Sequence, residues 1–330
     1  MSFPSDKNPQ ARIRDVLDDV EIDIKKLAGD ASERVYYRVS YANGQSVVVA
    51  LLPDPFNVNS LPYLNVSKLF SEIPIRVPKV INVDGDSGVL VLEDLGDNLL
   101  QDISTLEPDG FSKRELYSEA MDVLVRLQKR GTEPGNERYI PFQIAFDEDK
   151  FFEELDFFQK HFLEAFLGAN LTESEKIELE FAFHNLAFEL CDRPFTLCHR
   201  DYHSRNIMIK QGSLVIIDFQ DARRGPAAYD AVSLLNDSYV RHDPEFISEM
   251  MENFQRSLGV SLLGDYDIAA LQRNLKALGT FGFQITKRNK VFYKQYIEHT
   301  LLLVRNNLAR NSKWDSLRRI LARYCDEIGS

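Results

Sequence analysis

His199-Arg-Asp-Tyr-His-Ser-Arg-Asn-Ile-Met-Ile-Lys-Gln-Gly-Ser-Leu-Val-Ile-Ile-Asp-Phe-Gln-Asp221 is the stretch around which the rest of the chain reads. It spaces three residue types that phosphoryl transfer requires: a carboxylate to receive a hydroxyl proton (Asp201), and an amide and a second carboxylate suited to a hard divalent cation (Asn206, Asp218). Between the last two, Ile207-Met-Ile-Lys210 and Leu214-Val-Ile-Ile217 are short apolar runs around Gln211-Gly-Ser213, which predicts a β-hairpin. A hairpin brings its ends together, so Asn206 and Asp218 are expected to share one ion. Taken singly, each of the three reads as well as a turn, cap or strand-end residue. Their joint offsets from Asp201 turn the reading towards chemistry.

On either side of the hairpin the chain has two textures. Upstream, residues 11–21 place Ile13, Val16, Leu17 and Val20 on one helical face. Residues 22–27, 35–40 and 46–52 read as strands, the last two joined by an Asn43-Gly44 turn. A helix over 63–70 and strands over 80–83 and 89–93 follow. From Ser112 onward the apolar spacing is helical: over 112–129, 150–166 and 173–190, then over 228–239, 244–258, 268–279, 291–308 and 313–328. The expected architecture is α+β with two lobes, in the outline of the protein kinases. A small antiparallel β-rich lobe (residues 1–96) binds nucleotide and ends in a Glu93-Asp-Leu-Gly96 hinge. A large, mainly helical lobe (97–330) carries the hairpin.

Composition excludes other classes. The chain has 330 residues, 44% hydrophobic and 27% charged, with net charge −12, so nucleic acid or an anionic membrane surface is a poor partner. Its three cysteines form no Cys-x-x-Cys pair, which fits a reducing compartment. The N-terminus lacks a signal-peptide pattern, and no apolar run approaches the ~20 residues of a membrane helix. A cytoplasmic protein is expected.

Around the central three residues lie further candidates. Asp221 reads as a second-metal or acceptor contact, or as a surface carboxylate. His199 is expected to support the loop backbone and His203 to lie near the acceptor; the segment lacks the third ligand of a zinc site. Asp230, at a helix start, is expected to tie the loop down. Gly29 and Ser32, in a small-residue loop between strands, and the neighbouring Arg34 are placed to approach phosphates. The backbone from Glu93 to Leu95 is placed to meet an adenine edge, or else is a plain linker. Arg205 and Arg223 flank the central residues and suit a substrate carboxylate, or are solvated.

The spacing His199-x-Asp201-x-His203-x-x-Asn206, followed by Ile217-Asp-Phe219, resembles the aminoglycoside phosphotransferase and choline kinase-like superfamily. His203, two after Asp201, and the lack of an Asp-Phe-Gly segment set it apart from protein kinases. Within that superfamily the chain is similar to bacterial kinases that phosphorylate N-acetylmuramate and N-acetylglucosamine at C1. The shared wording includes Gly29-Asp-Ala-Ser32, Leu92-Glu-Asp-Leu-Gly-Asp97, Ile217-Asp-Phe-Gln-Asp-Ala222, Tyr229-Asp230 and Asn274-Leu-Lys-Ala-Leu-Gly279. The resemblance implies ATP as co-substrate, Mg²⁺ as cofactor and an amino-sugar acceptor, with Asn274 and Lys276 as further acceptor-side candidates. One departure from the general kinase pattern stands out: the third strand, Val47-Val-Val-Ala-Leu-Leu52, has no lysine for the phosphates. The resemblance implies the same lack in the anomeric sugar kinases, and Arg34 and Arg38 are the nearest basic substitutes. Kinases of another small alcohol (an aminoglycoside or choline) and a nucleotide-binding pseudoenzyme are the rival readings.

Overall fold

The structure is a computed structural model and describes residues 8–17, 21–27, 34–104, 112–262 and 264–329. Five strands form one antiparallel sheet in the order β1-β2-β3-β5-β4: β1 (Ile22–Lys26), β2 (Val35–Tyr41), β3 (Ser46–Leu51), β4 (Val80–Asp84) and β5 (Val89–Glu93). Alternation along each strand gives the sheet two buried faces. Val39, Val49 and Val91 pack on one face around Ile13 of α1 (Pro9–Leu17). Ala50, Leu90 and Leu92 turn to the other face, towards α2 (Pro62–Glu72) and the main core. Buried Arg12 pins α1 by donating to the carbonyls of Leu52 (2.9 Å) and Ser87 (3.0 Å). The helix expected over 11–21 starts earlier and reaches Leu17; Val20 lies outside the described residues.

The remainder is mainly helical. Before the central stretch come α3 (Lys113–Gly131), α4 (Glu148–Phe158) and α5 (Glu173–Cys191). Ser112 with Glu115 and Thr172 with Glu175 form capping boxes at the starts of α3 and α5. Next come β6 (Phe195–Cys198), β7 (Ile207–Lys210), β8 (Ser213–Ile216) and β9 (Arg223–Pro226), and then α6 (Tyr229–Leu235), α7 (Pro244–Leu258), α8 (Asp265–Arg288), α9 (Ile297–Ala309), α10 (Asp315–Leu321) and α11 (Asp326–Gly329). The β7–β8 hairpin forms as expected, with Ile207 opposite Ile216.

Several boundaries differ from the sequence expectation. A second ribbon, β6 with β9, flanks the hairpin, and Arg223 and Arg224 lie in it. Arg-Arg-Gly-Pro carries no strand-forming side chains, so its backbone pairing, with β6 on one side and with Ile144 and Phe146 on the other, makes it a strand. The helix expected over 228–239 stops at Leu235, and Asp237 beyond it turns to bind the backbone N–H of Tyr239 (2.9 Å). The helix expected over 150–166 widens into π-helix over Gln159–Glu164, against which α8 sets Gly282, with Gly279 against Phe158 just before it. The last expected helix breaks into α10 and α11, while α8 runs well past Gly279.

Candidate active site

β6 delivers the chain to His199, and two buried carboxylates then clamp the loop. Asp230, in the first turn of α6, accepts the backbone N–H groups of His199 (2.5 Å) and Arg200 (3.0 Å). Asp237 accepts the N–H and hydroxyl of Ser204 at 2.9 and 2.5 Å. Burial pushes both carboxyls up, and these hydrogen bonds oppose it. The His199 ring closes the loop against the hairpin through Nε2 and the Ile217 carbonyl, 3.0 Å apart. The structure thus puts His199 and Asp230 in a scaffold position; Asp237 was not read from sequence, because its partner Ser204 is distant in the chain.

The hairpin brings Asn206 and Asp218 together. Ile217 donates its N–H to the Asn206 carbonyl at 3.0 Å, which seats Asp218 beside Asn206. Asn206 Nδ2 donates to the Asp201 carbonyl at 2.9 Å, turning the amide oxygen the other way. Asp218 has a left-handed φ of 61°, unusual for a residue with a side chain, and Gln220 Nε2 donates to its Oδ1 at 2.8 Å. One amide oxygen and one carboxylate, with no nitrogen or sulfur donor between them, fit Mg²⁺, which keeps several waters and takes its other ligands from phosphate.

Asp201, with its side chain 27% exposed, faces a cluster of cations. Lys276 Nζ lies 3.0 Å from its Oδ1, an Arg273 nitrogen 3.5 Å from the same oxygen and Arg200 Nε 3.9 Å from Oδ2. Burial pushes the carboxyl up, but Lys276, Arg200 and Arg273 outweigh it and hold it well below the usual carboxylate range. Behind them sits buried Glu154 of α4, 3.3 Å from Arg200 and 3.6 Å from Lys276, accepting from Gln272 at 2.9 Å. Arg273 also donates to the Arg200 carbonyl at 2.8 Å. Glu154 and Arg273 were missed in the sequence. The available signal was a lone acid among Phe151, Leu155 and Phe158 on the buried face of α4.

The other candidates distribute around this centre. Burial holds the His203 imidazole down to about 3, and its Nε2 lies 3.5 Å from Asn206 Nδ2. Arg205 stacks over the Tyr239 ring at 4.8 Å. Half-exposed Asp221 reaches Arg200 at 3.7 Å, and Arg223 donates to the Asp221 carbonyl at 3.1 Å while lying over Phe146. Asn274 is buried on α8, its side-chain N–H₂ without a partner among the described residues. In the Glu93–Gly96 segment, Glu93 accepts Lys210 Nζ at 2.8 Å, Leu95 is buried and Lys210 also donates to the Asp94 carbonyl at 2.7 Å. Arg38 is engaged there too, with Asp94 at 2.7 Å and Asp97 at 2.9 Å. Arg34 lies at the start of β2; Gly29 and Ser32 are outside the described residues. Among the described residues, no helix is long and apolar enough to cross a membrane.

Known proteins are similar to this chain in sequence and in fold. An N-acetylmuramate/N-acetylglucosamine kinase of Neisseria meningitidis is 29% identical over 324 residues, covering 95% of this chain and 90% of that protein. One of the same name from Pseudomonas aeruginosa is 26% identical over 308 residues, covering 89% and 86%. Among solved structures, an ADP-bound aminoglycoside phosphotransferase matches with a TM-score of 0.59 at 13% identity, over 90% of this chain and 98% of that one. A choline/ethanolamine kinase family protein from Mesorhizobium loti matches with a TM-score of 0.58 at 14% identity, over 89% and 90%. At such identities the two structures establish a common fold and nothing finer. A family model described as "Phosphotransferase enzyme family" matches residues 23–267, from β1 through the hairpin into α8. Because that match spans both lobes and the whole central stretch, the chain belongs to the phosphotransferase enzyme family.

Proposed function

We propose that this enzyme, a kinase with ATP as co-substrate and a hydroxyl group as acceptor, phosphorylates the anomeric C1 hydroxyl of an N-acetylated amino sugar, N-acetylmuramate or N-acetylglucosamine. Relatives of that name aligned along nearly the whole chain support the sugar class. The observation that carries the reading is the charge around Asp201. Immediately around the Asp201 carboxylate, three cations, Arg200, Arg273 and Lys276, stand with one further acid, Glu154. Despite the chain's net acidity, the surroundings of Asp201 are cationic and do not favour an aminoglycoside or choline cation there. A neutral sugar, or one bearing a carboxylate within reach of Arg205 or Arg223, suits it better.

The same charges set the chemistry. A carboxylate held well below its usual range is a weak base. A hemiacetal hydroxyl is more acidic than an ordinary alcohol, so such a base is adequate. Asp201 orients the hydroxyl and takes its proton late, because phosphoryl transfer passes through a loose transition state. Asn206 and Asp218 would hold Mg²⁺, which supplies charge neutralisation at the phosphates. His203, neutral when buried, packs beside Asn206 and adds no charge to the acceptor side. Positioning and electrostatics supply the rest of the rate.

The deciding experiment follows ATP consumption over a panel of amino sugars, neutral sugars, aminoglycosides and choline, with Asp201→Ala as control. Turnover with N-acetylated amino sugars and a product lacking a free reducing end is expected. Phosphorylation at C6, with the reducing end intact, would overturn the anomeric assignment.

A further inference from the structure

α5 carries two apolar seams, and its own chain uses one of them. Leu179, Phe183, Leu186 and Leu190 follow at steps of four, three and four residues and are buried, packing α5 into the main core against α4 and α8. Ile177, Phe181, His184 and Phe188 take the same steps two residues earlier, which on a helix turns them to nearly the opposite side. Ile177 is 66%, Phe181 69% and Phe188 57% exposed, the three most exposed large apolar side chains among the described residues. His184 lies between them, its ring stacked on Phe152 of α4 at 4.2 Å. A helix apolar on both sides is normally buried on both. Single exposed apolar residues are ordinary, but three in one stripe about 16 Å long mark a contact surface.

The rim of the stripe is largely neutral despite the chain's net charge of −12. Glu173 pairs with Lys176 at 2.8 Å, Glu178 with Arg319 at 2.7 Å, and Glu189 with Lys313. A second acidic chain can therefore approach this face without meeting a row of uncompensated acids.

We propose that the outer seam is the interface of a homodimer, in which α5 packs antiparallel on α5 of a second copy about a two-fold axis between residues 182 and 183. The spacing argues for a second copy rather than an unrelated helix. Steps of four, three and four read the same in both directions, so the two-fold lays the seam on itself. Ile177 of each copy then meets Phe188 of the other, and Phe181 meets His184. These are the alternating steps of a coiled-coil a/d seam, which antiparallel pairing stacks in layers. The same register brings Glu180 of each copy alongside His184 of the other, giving that acid a polar neighbour. With a Phe side chain at about 200 Å², the three apolar residues supply roughly 350 Å² per copy. Together with the rim, the pair reaches the low end of specific interfaces, about 1,200 Å², so a dimer of micromolar affinity is expected.

The inference is independent of the acceptor and of the catalytic base. Sedimentation velocity of the full chain from about 1 to 200 µM should show monomer giving way to dimer. Phe181→Glu and Phe188→Glu alter side chains that already lie mostly in water within one copy. Both should stay monomeric throughout, with kcat within about twofold of the parent and the melting temperature of dilute protein unchanged. Introduced cysteines with a short bifunctional thiol reagent then read the register, the parent chain serving as background. The two His184→Cys sites of a dimer lie about 5 Å apart along the axis and should link, whereas the two Lys176→Cys sites lie about 20 Å apart and should not. A parent that stays monomeric overturns the dimer and leaves the seam to a different protein. A dimer that survives both glutamate variants overturns the assignment to α5. Linkage through Lys176→Cys, or its absence through His184→Cys in a dimeric sample, overturns the antiparallel register.

Discussion

One carboxylate shared by Lys276, Arg273 and Arg200 is what distinguishes Asp201 from an ordinary loop aspartate. Its folded pKa is depressed, so the stability this cluster contributes is present above the unfolded value of about 3.9 and is lost as pH falls through the folded one. Lys276→Met removes the largest counter-charge and should move the acid limb of kcat/KM to higher pH, while Lys276→Arg leaves it nearly in place. A pH–rate profile of both variants checks this; an acid limb that stays put in Lys276→Met contradicts the proposal that Asp201, tuned by Lys276, is the base. The spacing of Asp201, Asn206 and Asp218 was legible in the sequence because a hairpin makes distance in the chain predict distance in space. Lys276 was reached only through a resemblance, and Arg273 and Glu154 were not found. They approach Asp201 from helices whose packing no local pattern encodes.

At the scale of elements, α8 is the part that carries Arg273 and Lys276 to the loop, and its position depends on two glycines. A Cβ on Gly279 would stand 2.8 Å from the Phe158 Cα, and one on Gly282 2.9 Å from the Phe162 Cα, both backbone atoms that cannot swing away. In an isolated helix Gly→Ala would stabilise by about 1 kcal/mol. Here overpacking, typically costing about 1–3 kcal/mol and more where backbone must shift, reverses the sign. Gly282→Ala should therefore lower the denaturation midpoint and reduce kcat together; a variant more stable than the parent contradicts this packing. The hinge makes a second element-scale prediction. Arg38→Ala frees Asp94 and Asp97 and should raise the KM for ATP several-fold while leaving the acceptor KM nearly unchanged, as steady-state kinetics would report. The helices and the five strands were readable from periodicity. The β6–β9 ribbon, the early stop of α6 and the π-helical turn were not, because each is imposed by a partner from another part of the chain.

Across the whole molecule, half-buried histidines contribute to the acid limit, His203 and His242 most strongly. Burial holds His203 down to about 3; His242, packed between Tyr117 and Phe246, is held down to about 3 by burial and Lys113. In the unfolded chain both take a proton below about 6.5, so stability should fall steadily as pH drops from there towards 3. Melting temperatures from pH 7.5 to 4.5 would show the slope, and His242→Phe, which keeps the stacking, should flatten it; an unchanged slope in that variant assigns the acid loss elsewhere. Sequence by itself determined the two-lobe α+β architecture, the hairpin, the two residues at its ends and the spacing of Asp201 before them. All of these follow from periodicity, turn chemistry and short-range spacing, which act within a few residues. Tertiary structure alone decided that Asp201 faces a cluster of cations and that Arg38 pairs with Asp94 and Asp97. The opening stretch, His199–Asp221, is thus a local device, and the charges that tune it arrive from α4 and α8 by packing that only the folded chain brings about.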